Sequence, residues 1–174
     1  MIYIFLIICI CVYVFMPDPN VLGVTDSNLW MAFVYPFAHA SWRHLFVNSL
    51  SLFLMFNPIF KIYEERFGGG SKLGLLFASY IGAVLAGLFT AIDIPTVGAS
   101  GMAFFLLGVL LMLRPTKQQL MAYIFVVIAI IVQIFRGHSN VALHLVAFAF
   151  GCIYIILVLL CKKDFYYTDN NETR

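Results

Sequence analysis

Ser100 lies in Gly98-Ala99-Ser100-Gly101 at the head of one apolar stretch, and His144 lies in Leu143-His144-Leu145-Val146-Ala147 at the head of another. A hydroxyl and an imidazole are a sufficient pair for nucleophilic catalysis. The imidazole takes the hydroxyl proton, the oxygen attacks a carbonyl carbon, and the proton passes to the leaving group. The attack leaves an oxyanion that needs hydrogen-bond donors. His44 and Asn48 are four residues apart, one turn along one face of a helix, and both side chains can donate to one point. The Ser100 N–H is a third donor, because the first amides of a helix have no intrahelical partner. His39 precedes the His44 helix and is less directly aimed. No carboxylate lies near His144 in the sequence, so a third member of a triad is not evident. The chemistry these residues could do is acyl transfer.

The elements that must hold them are set by composition. Hydrophobic residues make up 63% of the 174-residue chain and charged residues 10%, against about a quarter charged in a soluble domain. Most of the chain therefore faces lipid or other membrane helices. The net charge of +2 gives no sign of a nucleic-acid partner. The length suits a single membrane domain over 1–174. Cys9, Cys11, Cys152 and Cys161 sit in apolar segments as small packing residues, without metal-ligand spacing. No metal and no cofactor are expected.

Six apolar spans are predicted, at 2–16, 41–60, 73–91, 100–113, 118–135 and 141–161, giving an all-α membrane protein. A hydrocarbon core of about 30 Å takes about 20 helical residues, so the fourth span is short and the first marginal. The first span lacks a basic leader and a small-x-small cleavage site, so it reads as a retained helix. Of the ten Lys and Arg, eight fall in the 2–3 connection (Lys61, Arg66, Lys72), the 4–5 connection (Arg114, Lys117) and the tail (Lys162, Lys163, Arg174). The positive-inside rule then places both termini in the cytoplasm.

Heights can be counted from the first basic residue on the cytoplasmic side, at about 1.5 Å per residue. Ser100 lies about 21 Å up, Asn48 about 20 Å, His44 about 26 Å and His144 about 27 Å. Four polar groups from three helices thus meet in the outer third of the core. Each has an ordinary reading too. Gly-x-Ser-Gly is often close helix packing, and a lone Asn is often interhelical glue. A His in lipid is expensive and marks function by default. Gly74, Ala78, Gly82 and Ala86 on the third span, Gly108 on the fourth, and Ala147 with Gly151 on the sixth read as tight packing alone.

The pattern His39-x4-His44-x3-Asn48, with Gly98-x-Ser100-Gly101 and His144, resembles the rhomboid family of intramembrane serine proteases. The resemblance runs from about Trp30 to Gly151 and includes the six-span layout. Glu64-x-Arg66-x-Gly68 looks like the family's polar junction after the second span. Met31 stands where the family usually has Arg after Trp30, Ala147 replaces a frequent Gly, and Phe104 replaces a Tyr beside the base.

The resemblance implies a rhomboid-like bundle and a Ser100–His144 dyad. Ser100, His44 and Asn48 would stabilise the oxyanion, with His39, Gly98, Gly101 and Phe104 supporting. It further implies transmembrane protein substrates cut near the outer boundary, and a lateral gate between the second and fifth helices. The alternative is a silent relative that binds transmembrane clients; such a chain is expected to lack the nucleophile or the base, and this one keeps both. A transporter is disfavoured, since paired broken helices and a coupling-ion carboxylate are missing. A minimal six-span chain fits a bacterial inner membrane, with the bilayer as its other partner.

Overall fold

The computed structural model describes residues 2–16, 18–67, 71–113, 117, 121, 124, 128 and 141–172, with the side chains of 162–172 excepted. Five helices are described: α1 (Ile2–Phe15), α2 (Trp42–Phe67), α3 (Lys72–Phe89), α4 (Ser100–Leu113) and α5 (Val141–Glu172). Among the described residues there is no β-strand, only the isolated bridges Val24↔Thr96 and Thr25↔Asn28. Three helical stretches, Trp42–Phe67, Lys72–Phe89 and Val141–Cys161, are long and apolar enough to cross a membrane, and α1 and α4 are shorter apolar helices. The fifth predicted span, 118–135, lies outside the described residues except at Met121, Ile124 and Ile128.

Helix α2 starts where Ser41 caps it: the Ser41 Oγ accepts the His44 N–H at 3.1 Å, and its carbonyl accepts the Leu45 N–H at 2.9 Å. Its buried face runs Leu45, Asn48, Leu52, Met55, Ile59 and Tyr63, the three-and-four spacing of one helical stripe. It ends at Phe67, beyond the predicted 60. Lys61 sits on its exposed side, 3.9 Å from Glu65 one turn on, while Phe60, Tyr63 and Phe67 continue the buried side. A basic residue on an exposed face does not stop a helix; only the loss of the buried stripe or of the backbone geometry does.

Helix α3 is capped by Ser71, whose Oγ accepts the Gly74 N–H at 3.2 Å. Helix α4 has the predicted bounds and is the centre of the bundle. From Gly101 to Leu110 every residue is buried, and Leu113 as well. At 14 residues it is about 21 Å long.

Helix α5 starts at the predicted 141 and runs on to Glu172. Its polar last turns carry neither Gly nor Pro to break the helix. Helices α4 and α5 cross backbone to backbone. A Cβ on Gly108 would overlap the Phe148 carbonyl, and one on Gly151 would overlap the Phe105 carbonyl. This is the close approach that small residues allow between membrane helices.

The segment between α1 and α2 is built of short 3-10 turns, at Pro19–Leu22, Leu29–Phe33 and Tyr35–Phe37. It folds against the segment between α3 and α4. Val24 and Thr96 exchange backbone hydrogen bonds at 3.0 and 3.1 Å. The two segments therefore meet four residues ahead of Ser100.

Candidate active site

The turn before α4 is held by the Tyr35–His39 segment. The Gly98 N–H donates to the Tyr35 carbonyl at 2.9 Å, and the Ala99 N–H donates to His39 Nε2 at 3.4 Å. Gly98 has φ +115°, a conformation L side chains rarely adopt. A Cβ there would also lie 2.7 Å from the His44 ring and 2.9 Å from Asn48 Nδ2. So Gly98 is required twice over, by its backbone and by two neighbouring side chains. The Ala99 carbonyl then accepts the Met102 and Ala103 N–H groups at 3.1 and 3.3 Å, and α4 begins. The Ser100 N–H is left without a partner among the described residues.

Ser100 Oγ lies 2.9 Å from His144 Nε2. His144 is only 6% exposed. Phe104, one turn along α4 from Ser100, stacks on the imidazole with ring centroids 4.3 Å apart and planes 16° from parallel. The ring can pack there but has no hydroxyl to donate. With Nδ1 protonated, Nε2 is free to accept the Ser100 hydroxyl proton. Nδ1 itself is buried and has no hydrogen-bond partner.

Asn48 Nδ2 is also buried and unpaired, beside Gly98. Buried polar atoms of this kind are uncommon, and each calls for an explanation. The His44 ring packs edge-on to His39, with centroids 5.2 Å apart and 68° between planes. Thus Ser100, His144, His44, Asn48, His39, Gly98 and Phe104 converge on one place at the head of α4.

Gly101 does something narrower. A Cβ on it would meet the Tyr35 hydroxyl at 3.0 Å, Ala83 Cβ at 3.1 Å and Leu143 Cδ2 at 3.3 Å. It makes room for packing behind the site. Arg66 of the polar junction lies at the far end of α4, where its Nη1 donates to the Leu113 carbonyl at 3.1 Å. Trp30 is 80% exposed and packs near Phe33, with centroids 6.3 Å apart.

The sequence reading passed over Tyr35. It is fully buried, its hydroxyl donates to the Ala83 carbonyl of α3 at 2.7 Å, and its own carbonyl holds Gly98. The one available signal was Tyr35-Pro36-Phe37, a stiff aromatic turn just ahead of the His39 motif.

His39 lies outside the membrane-spanning helices. Burial, aided by the neighbouring His44, pushes its pKa down to about 3. It is therefore neutral at ordinary pH. Its Nε2 accepts from Ala99, so the proton sits on Nδ1 and is donated to the Phe37 carbonyl at 3.2 Å.

Helices long and apolar enough to cross a membrane, with a part-buried serine–histidine contact between α4 and α5, define a class, that of helical integral membrane proteins. The family described as Rhomboid domain matches residues 26–161, most of the chain, and this chain belongs to the rhomboid family. It is 29% identical over 154 residues to the Bacillus subtilis (strain 168) protein named "Putative rhomboid protease YdcA", covering 82% of this chain and 73% of that protein.

Proposed function

We propose that this chain is an intramembrane serine endopeptidase that cleaves single-span transmembrane proteins near the outer membrane boundary, through a Ser100–His144 dyad. The observation that carries the reading is the 2.9 Å contact between Ser100 Oγ and His144 Nε2 at the half-buried head of α4.

His144 takes the Ser100 proton as Oγ attacks the scissile carbonyl carbon. The tetrahedral oxyanion is met by the Ser100 N–H and the His44 and Asn48 side chains. Collapse expels the amine, which receives the proton from His144, and leaves an acyl-serine. Water then attacks the ester, His144 takes its proton and returns it to Ser100, and the carboxylate product leaves.

The apolar segments support six spans, the charge asymmetry favours both termini in the cytoplasm, and the minimal six-span layout fits a bacterial inner membrane. The protein's partners are then transmembrane substrates and the bilayer itself.

The test is covalent labelling. Purified protein treated with a fluorophosphonate probe should be modified at Ser100. Ser100→Ala and His144→Ala should both stay folded, lose labelling and lose cleavage of a transmembrane reporter by several orders of magnitude. Undiminished cleavage by Ser100→Ala, with host proteases excluded, would sink the assignment.

A further inference from the structure

The head of α4 must satisfy two opposite demands. Its buried amides need partners, since an unpaired one loses its hydration with nothing in return, yet one amide must stay free for a substrate oxygen. The Tyr35–His39 segment meets both. It takes the Gly98 N–H on a carbonyl and the Ala99 N–H on an imidazole nitrogen, and stops one residue short of Ser100.

The carbonyl contact is ordinary backbone pairing. The imidazole contact is not, because it puts the turn under the control of one side chain. His39 is 1% exposed and is fixed at both ring nitrogens, one on Phe37 and one on Ala99. Its ring also abuts His44, the side chain packed against Gly98.

We propose that His39 is a positioning residue for Ser100: its neutral imidazole, anchored through Nδ1–H on the Phe37 carbonyl, holds the Ala99 N–H and so sets where the Ser100 N–H and Oγ point. The proposal rests on the reading of Ser100 as the nucleophile. It needs a rigid group that donates at one end and accepts at the other. Imidazole has that form, and a glutamine amide is the nearest substitute.

Two measurements on the full chain in detergent or bicelles test it. The first is nitrogen NMR of histidine-labelled protein, with the His39 signal identified by its loss in His39→Gln. His39 should remain a neutral Nδ1–H tautomer from pH 8 to about pH 5, below the ordinary histidine range. An Nε2–H tautomer, or titration near the ordinary histidine value, overturns the proposal whether or not Ser100 is a nucleophile.

The second is kinetics on a transmembrane reporter, normalised to folded protein. His39→Leu should lower kcat about 10-fold or more with little change in KM, the equivalent of about 1.4 kcal/mol of transition-state stabilisation. His39→Gln should recover a substantial part of that loss. A residue that only packs would lower the melting temperature and leave kcat per folded molecule unchanged, and that result overturns the proposal. Equal loss in the two variants overturns it too. If His39→Leu does not fold, the tautomer and the His39→Gln kcat still decide. Fluorophosphonate labelling of the wild type separates the two readings. Its absence at Ser100 counts against the nucleophile, while the His39 tautomer is read independently.

Discussion

The two ends of α4 are built on opposite principles. At the C-terminal end the Leu113 carbonyl is taken by Arg66, and the helix is buried from Gly101 to Leu110. At the N-terminal end Gly98 and Ala99 are tied down, but among the described residues the Ser100 N–H has no backbone partner and Asn48 Nδ2 and His144 Nδ1 have no partner at all. Unpaired buried donors lower stability, so a helix made only to be stable would not end this way. One end is satisfied, and the other keeps free the donors that the proposed reaction needs for a substrate oxygen. The difference separates what holds the bundle together from what the bundle does.

The comparison can be broken most severely at Gly98. Gly98→Ala places a Cβ against His44 and Asn48 at a φ that alanine resists. Strain of this kind costs about 1–3 kcal/mol, and the turn must move to relieve it. Cleavage and fluorophosphonate labelling should both fall by about 10²-fold or more, with helical circular dichroism retained. Near-normal labelling would show that the turn tolerates a shift and that its geometry is not critical.

A smaller effect is expected at Asn48. Removing one oxyanion donor typically costs about 10²–10³ in kcat. His44 and the Ser100 N–H remain, so Asn48→Ala should lose about 10²-fold or less and change KM little. It also removes an unpaired buried amide, so the melting temperature should not fall. A variant that loses stability and keeps kcat would make Asn48 a packing residue. The smallest effect belongs to the satisfied end. Arg66→Met removes an exposed guanidinium from the Leu113 carbonyl, at a cost of about 1 kcal/mol. Thermal unfolding in detergent should register it, while kcat per folded molecule stays unchanged. A drop in kcat there would mean that the two ends are coupled.

Much of this was legible in the sequence, for reasons that differ by residue. Ser100 and Val141 begin helices as expected, because the polar and glycine-bearing stretches 93–98 and 136–140 separate the apolar runs. The stripe of α2 carries His44 and Asn48 to one place because the helical period forces it. The end of α2 was misjudged, since Lys61 marks a change of solvent rather than a change of backbone; the sixth span, 141–161, matches the apolar stretch Val141–Cys161, and α5 simply continues past it. Six spans were expected, and the described residues hold three helices long enough to cross. Tyr35 and the His39–Ala99 bond were missed for a deeper reason. Loops have no period, and a hydrogen bond to a backbone amide leaves no mark on the residue that supplies it.

The Gly108–Gly151 crossing has a mechanical side. Ser100 and His144 lie eight and seven residues outboard of it, on arms of about 12 and 10 Å. The two helices are the blades of a pair of scissors, with the glycines as the rivet. Opening the blades by about 5° would part the tips by about 1 Å on arms of that length. That would take a 2.9 Å contact past the limit of hydrogen bonding. The angular tolerance of the Ser100–His144 contact is therefore set by two glycines that make no part of it.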